Sequence, residues 1–331
     1  MTAPLDVSGS ELEAAPEAVL DGQAKAIQGR SLGQIAWMRL KRDKVALTGA
    51  GVVIFLILVA VFAPVIVGLI GHPPTDFNQD LISSETMAPK DGTGIGWDHL
   101  FGVEPVNGRD IFSRIVYGAR ISLLIAFLAT LLSVVIGTLL GVMAGYFGGW
   151  VDSVISKTMD VFLAFPILVF AMALSGIVQQ SDSAFGLTGD TLSVTLLIFI
   201  IGFFNWPYIG RIMRGQTLSL REREFVDAAR SLGARGPYII FREMLPNLVA
   251  PILVYSTLLI PTNILFEAAL SFLGVGVRPP TPTWGGMLSE AVRFYTIPHF
   301  MFFPGMAIFI TVLAFNLFGD GLRDALDPRA R

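Results

Sequence analysis

The side chains able to do chemistry are few and scattered. There are no cysteines, so disulfides, thiolate chemistry and Cys-based metal sites are excluded. His72, His99 and His299 lie far apart in sequence and read as polar loop residues, not metal ligands. Neither G-x-S-x-G nor H-E-x-x-H is present, and no acid pair is evident at a membrane face, so a membrane enzyme lacks its parts. Ser156-Lys157-Thr158 looks like the end of a phosphate-binding loop, but no glycine cradle precedes it at the right spacing. The chain is therefore not expected to hydrolyse ATP. Glu267 is the one acid well inside an apolar run, where an unpaired charge is costly and must be paired, hydrated or neutralised. Asn263, one turn earlier, is placed to hydrogen-bond it. Two readings stand for Glu267: a polar lining of a passage through the membrane, or a structural pair. Its position near the end of the run favours the pair.

The elements that must position these residues are apolar. Hydrophobic residues make up 53% of the 331-residue chain and charged residues 15%, with a mean hydropathy of +0.66. A soluble domain carries about 25% charged residues. The net charge of -3 excludes a strongly basic nucleic-acid binder. Residues 1–30 are rich in Ala, Pro, Glu and Asp without an apolar period, which predicts a disordered tail. The acidic start argues against a signal peptide.

A membrane core takes roughly 20 apolar residues as a helix. Such runs occur at Val45–Ile70, Ile121–Ala144, Val161–Val178, Leu192–Ile212, Leu248–Leu273 and Phe300–Phe318. The expectation is an all-α integral membrane protein with six transmembrane helices. Pro166 and Pro207 should kink their runs. Gly137, Gly141 and Gly145 form a small face that lets helix backbones approach; it serves packing within one subunit or an interface with another. The short connection after the second run is expected to span Tyr146–Asp160.

Lys and Arg placement sets the orientation. Arg30, Arg39, Lys41, Arg42, Lys44, Lys157, the arginines from Arg211 to Arg242, Arg323, Arg329 and Arg331 fall on one side. Only Lys90, Arg109, Arg114, Arg120, Arg278 and Arg293 fall on the other. Both termini are thus expected in the cytoplasm. The organisation reads as a tail over 1–30, an N-terminal membrane helix and long extracytoplasmic loop over 31–118, a core over 119–318 and a cytoplasmic tail over 319–331. Arg109 and Asp110 open an outside helix. They either meet an extracytoplasmic protein or order the loop through internal ion pairs.

Residues 218–247 are too polar to cross lipid yet read as two helices. Phe225, Ala228, Ala229 and Leu232 fall at i, i+3, i+4 and i+7, one helical face. Gly233 suits a left-handed helix end, and Pro237 suits a first turn. Pro246 should force a turn at Leu245.

Asp227-Ala-Ala-Arg-Ser-Leu-Gly233, followed by Leu245-Pro246, resembles the EAA loop of ABC-importer permeases. Asp227 stands where that family usually has Glu, and Glu243 where it often has Ile. Further segments resemble the C-type subunit of dipeptide/oligopeptide permeases: Leu40–Pro64, His99-LFG, Gly108-RDIFSRIVYGARISL, Glu267-AALSFLGVGVRPPTPTWG and Asn316-LFGDGLRDALDP. The spacer from Gly102 to Gly108 looks one residue longer than usual. The resemblance covers nearly everything after Arg39. It implies a permease fold whose 218–247 loop is a cytoplasmic coupling helix-turn-helix fitting a groove on an ATPase. Phe225, Asp227, Ala228, Ala229, Leu232, Gly233, Leu245 and Pro246 are its implied coupling residues. The implied partners are a second permease subunit, two ATP-binding subunits that use ATP and Mg, and an extracytoplasmic binding protein, in the inner membrane. The implied substrate is a di- or oligopeptide, with nickel complexes or other small solutes as alternatives. An ion-gradient-driven transporter, the competing class, usually shows midplane ionisable residues and repeated broken helices; here only Glu267 qualifies.

Overall fold

Asp43 starts the membrane part by accepting hydrogen bonds from the N–H groups of Val45 and Ala46 (2.9 and 3.0 Å), satisfying two of the donors a helix start leaves open. The structure is a computed structural model and describes residues 32–179, 183–184 and 186–327. The tail expected over 1–30 lies outside the described residues. After a short helix α1 (Leu32–Leu40), the first apolar run forms α2 (Lys44–Val61) and α3 (Ala63–Ile70), not one helix. Pro64 lies at the start of α3, where its missing N–H costs nothing.

A loop with little regular structure leads to α4 (Ile111–Phe147). Asp110 caps this helix, so it begins ten residues before the apolar run and passes straight through residue 118, the expected boundary. Next come α5 (Gly149–Ala164) and α6 (Ile167–Gln179), bent by 75° at the Phe165-Pro166 break. The connection expected over Tyr146–Asp160 is thus mostly helix, and the third apolar run is the second half of a broken pair. A two-stranded ribbon, β1 (Ser183–Ala184) with β2 (Leu187–Thr188), precedes α7 (Gly189–Arg221), which continues through Pro207. Then follow α8 (Glu224–Ser231), α9 (Gly236–Tyr238), a π-helical segment (Ile239–Met244), α10 (Leu245–Phe272), α11 (Trp284–Ala291) and α12 (Pro298–Leu326). Among the described residues, five helical stretches are long and apolar enough to cross a membrane, with the bent pair as a further candidate.

The helices are held by close backbone approach. A Cβ at Gly137 would stand 2.6 Å from the Trp206 carbonyl oxygen, and one at Gly145 would stand 2.7 Å from Thr217 Cβ. The small face of α4 therefore seats α7 of the same chain, which decides between the two readings of that face in favour of internal packing. A second apolar core joins α2, α4, α10, α11 and α12 around Ile264, Trp284 and Phe315. Large apolar side chains such as Phe55, Leu69, Phe127 and Phe309 stay exposed on the long helices, as a lipid solvent permits.

Two ends result. His72 N–H donates to Ser113 Oγ (3.2 Å), placing the end of α3 beside the start of α4. Gly102, just before α4, lies against His299 of α12. This end collects loop 71–110, the ribbon and the α10–α12 connection. The other end collects the start of α2, the ends of α4, α7 and α12, and the 218–247 loop. There Gly321 meets Ala46, and Arg221 Nη1 donates to the Tyr146 carbonyl oxygen (3.2 Å).

Candidate functional site

The loop that links α7 to α10 is built on α8. Glu224 and Asp227 occupy its first turn and Arg230 its last, matching the helix dipole at both ends. Val226 is fully buried, and Ala229 half-buried, against Ile239, Met244, Tyr146, Leu220 and Ala234. That small core fixes which way α8 faces. Phe225, Ala228 and Leu232 then point outward, Leu232 with 89% of its surface exposed. The single four-residue face expected from the sequence is therefore split: Ala229 leans into the chain's own core, and the other three residues do not. Val226, which the sequence reading passed over, anchors the helix. Its signal was there, three residues before Ala229.

Gly233 closes α8 with φ +81°. Its N–H donates to the Arg230 carbonyl (2.9 Å), and the Ala234 N–H donates to the Ala229 carbonyl (3.0 Å), the paired bonds of a Schellman end. A Cβ at Gly233 would meet nothing within 4 Å, so only the backbone angle demands glycine there. Pro237 lies in the first turn of α9, as expected. Pro246 does not force a turn. Leu245 is helical, and its N–H donates to the Ile240 carbonyl five residues back. The π segment widens the helix just where Pro246 lacks a donor, so the chain runs on into α10. Leu245 is half-buried and Pro246 exposed. Tyr238 and Phe241 add exposed aromatic surface beside α8 in sequence. Asp227 pairs with Arg230 at 3.2 Å on the exposed side.

The other expected polar residues lie elsewhere. Asn263 does not bond Glu267. Its Nδ2 donates to Thr130 Oγ1 (2.8 Å), and its Oδ1 accepts from Asn205 Nδ2 (2.9 Å), joining α4, α7 and α10. Glu267 is fully buried and accepts from Ser271 Oγ (2.7 Å), one turn on. Spacing made Asn263 a plausible partner, but its side chain is already engaged by two other helices.

Arg109 and Asp110 are not a surface pair. They are only 4% and 1% exposed. Asp110 Oδ2 accepts from the Ser113 N–H (2.8 Å) and Oδ1 contacts His99 Nδ1 (2.9 Å). Arg109 pairs with Glu104 and reaches Glu290 Oε2 at 3.4 Å, while Arg114 bridges Glu104 (3.0 Å) and Glu290 (2.9 Å). Burial pushes the Glu104 carboxyl above its ordinary range, against the pull of Arg114 and Arg109. This is the internal-pair reading, and it ties the loop before α4 to α11. His72 and His99, far apart in sequence, stack with ring centroids 4.5 Å apart. No group of three or more His, Asp or Glu that could hold a metal ion occurs among the described residues.

Residues 137–331 match the family described as the binding-protein-dependent transport system inner membrane component. Residues 31–89 match the N-terminal TM domain of oligopeptide transport permease C. The chain belongs to the binding-protein-dependent permeases. It is 40% identical over 297 residues to the dipeptide transport system permease protein DppC of Alkalihalophilus pseudofirmus, covering 89% of this chain and 90% of the relative. It is 43% identical over 300 residues to the glutathione transport system permease protein GsiD of Shigella flexneri, again covering 89% and 90%. A solved structure of the inward-facing MetNI methionine ABC transporter shares the fold, with a TM-score of 0.53 at 17% identity over 66% of this chain and 98% of that one. This permease is thus a multi-pass inner-membrane translocation subunit of an ABC importer, working with ATPase and other components of such a system.

Proposed function

We propose that this permease is one of two membrane halves of a peptide importer and that α8 carries the thrust of ATP hydrolysis into the bundle. The observation that carries this reading is the outward apolar face of Phe225, Ala228 and Leu232 on an otherwise charged loop. Such surface marks a protein contact. The half-buried and buried side chains beneath it make α8 a rigid part of the bundle, able to pass motion to α7 and α10. The complete importer comprises this chain, a second permease subunit, two ATP-binding subunits that hold ATP and Mg, and an extracytoplasmic binding protein. The chain itself supplies no nucleotide site. In this reading the bent α5–α6 pair counts as one crossing, giving six, and the Lys and Arg asymmetry supports both termini and α8 on the cytoplasmic side. Di- or oligopeptides are the proposed cargo, supported by the names of the dipeptide and glutathione relatives.

The test is transport and substrate-stimulated ATP hydrolysis by the reconstituted complex. Gly233→Asp raises the local energy by about 1 kcal/mol through the positive φ and meets no steric obstacle. It should leave the subunit inserted and abolish transport. Ala228→Arg should do the same by excluding the ATPase; Ala229 is a poorer probe because it also packs inside. Normal transport by both variants overturns the coupling role of α8. Failure of both to insert makes the loop structural.

A further inference from the structure

Where α10 ends, Gly274 takes φ +82° and the chain turns into the segment leading to α11. Between that segment and α11 lies a pocket of about 350 Å³, at the end of the bundle opposite α8. This is within the size range of small-molecule sites. Its lining carries several charged side chains. Arg114 of α4 lines it from within and is 1% exposed, while Arg278 and Arg293 line it from the exposed side and Glu290 stands between.

The bonding within the pocket is incomplete in a specific way. Arg109 and Arg114 both reach the same oxygen of Glu290, Oε2. A carboxylate can accept on both oxygens, and the side chain of Glu290 remains 29% exposed. Oε1 is therefore left for a further donor. Arg114 Nε is buried and has no hydrogen-bond partner. Arg293 makes no hydrogen bond or ion pair among the described residues. The pocket hydroxyls, by contrast, are spent inside the chain: Ser271 on Glu267, Thr281 on Asp190, and Ser289 on the Phe272 carbonyl.

The uncommitted groups have opposite signs and neighbouring anchors on the chain. Glu290 and Arg293 stand three residues apart in consecutive helical turns and both line the pocket. Residues so spaced have Cβ atoms about 5–6 Å apart. A dipeptide chain advances about 3.3–3.6 Å per residue, so both of its charged ends lie within reach of two side chains so anchored. We infer that this pocket receives the free ends of a short peptide, the ammonium on Glu290 Oε1 and the carboxylate on Arg293, with Arg278 supplying further positive charge at the mouth. The inference deepens the peptide-import reading and rests on it for the cargo class. A protein docking from outside would use the exposed arginines, but it has no need of a recessed carboxylate held by two buried guanidiniums.

The test uses the complete transporter in nanodiscs without its binding protein. Three probes are titrated: dialanine, dialanine amide and N-acetyl-dialanine. The free peptide should bind about tenfold more tightly than either blocked form, the worth of one charge-assisted hydrogen bond. Arg293→Gln should abolish the preference for the free carboxylate but keep the preference for the free amine, and Arg293→Lys should restore part of the former. Arg293 is exposed, so neither variant endangers the fold. Equal binding of all three probes to the unmodified transporter overturns the inference. So does an Arg293→Gln variant that keeps full discrimination. Import of labelled dialanine by the full system is measured alongside. Import without discrimination sinks the pocket alone. Discrimination without import sinks the peptide-import reading and leaves the pocket as a peptide site.

Discussion

The two ends of the bundle are built on opposite plans. At the α8 end, charge lies outside: Asp227 and Arg230 pair in the open, and apolar Phe225 and Leu232 are exposed beside them. At the far end, charge lies inside: Glu104, Arg109 and Arg114 are all at most 4% exposed and are bound to one another. An exposed pair is worth little, while a buried cluster stands only if every member is matched. The α8 end therefore keeps its shape through a small apolar core and a helix end, and leaves apolar surface exposed. The far end spends its charge on fixing loop 99–114 to α11, around a pocket that keeps a few groups in reserve.

Removing a member of the buried cluster should produce the largest effect on folding. Glu104→Ala leaves two guanidiniums dependent on the partly exposed Glu290, a loss of about 3–5 kcal/mol for a broken buried pair. The thermal midpoint of the detergent-solubilised complex should fall steeply, or the subunit should fail to accumulate. An unchanged midpoint would mean that the cluster does not hold this end together.

A middle effect is expected between the ends. Asn263→Ala removes the side chain that joins Thr130 and Asn205 across three helices. Hydrogen bonds between membrane helices average about 0.6 kcal/mol and reach about 1.7. The expected outcome is a modest drop in midpoint with transport retained. A collapse as deep as that of Glu104→Ala would relocate the structural centre from the far end to the membrane interior.

The smallest effect belongs to the exposed pair. Asp227→Asn weakens a contact worth about 0.2–1 kcal/mol at most, so the midpoint should barely move. If it falls as far as in Glu104→Ala, the two ends are not built differently after all. If melting is normal but the complex no longer holds its ATPase, the α8 end is confirmed as a surface that spends its groups on a partner.

Much of this was readable in one dimension. Apolar runs of membrane length, a Gly with helix-ending context at 233, a proline at the start of α9 and the small face of α4 are local patterns. Each depends on residues within a turn or two, so linear order suffices. Linear order also carried the family, because its motifs are contiguous strings. What it left open depends on partners distant in the chain. Phe225 and Ala229 look alike on a helical wheel until Ile239 and Met244 pack beneath α8 and separate them. Asn263 was nearer to Glu267 in sequence than to Thr130 or Asn205, yet those are the residues that engage it. Arg109 and Asp110 allowed either a surface contact or internal pairs in sequence, and Glu290, which completes the burial of Arg109, lies 181 residues away. Burial and pairing are properties of packed neighbours, and only the tertiary structure decides who those neighbours are.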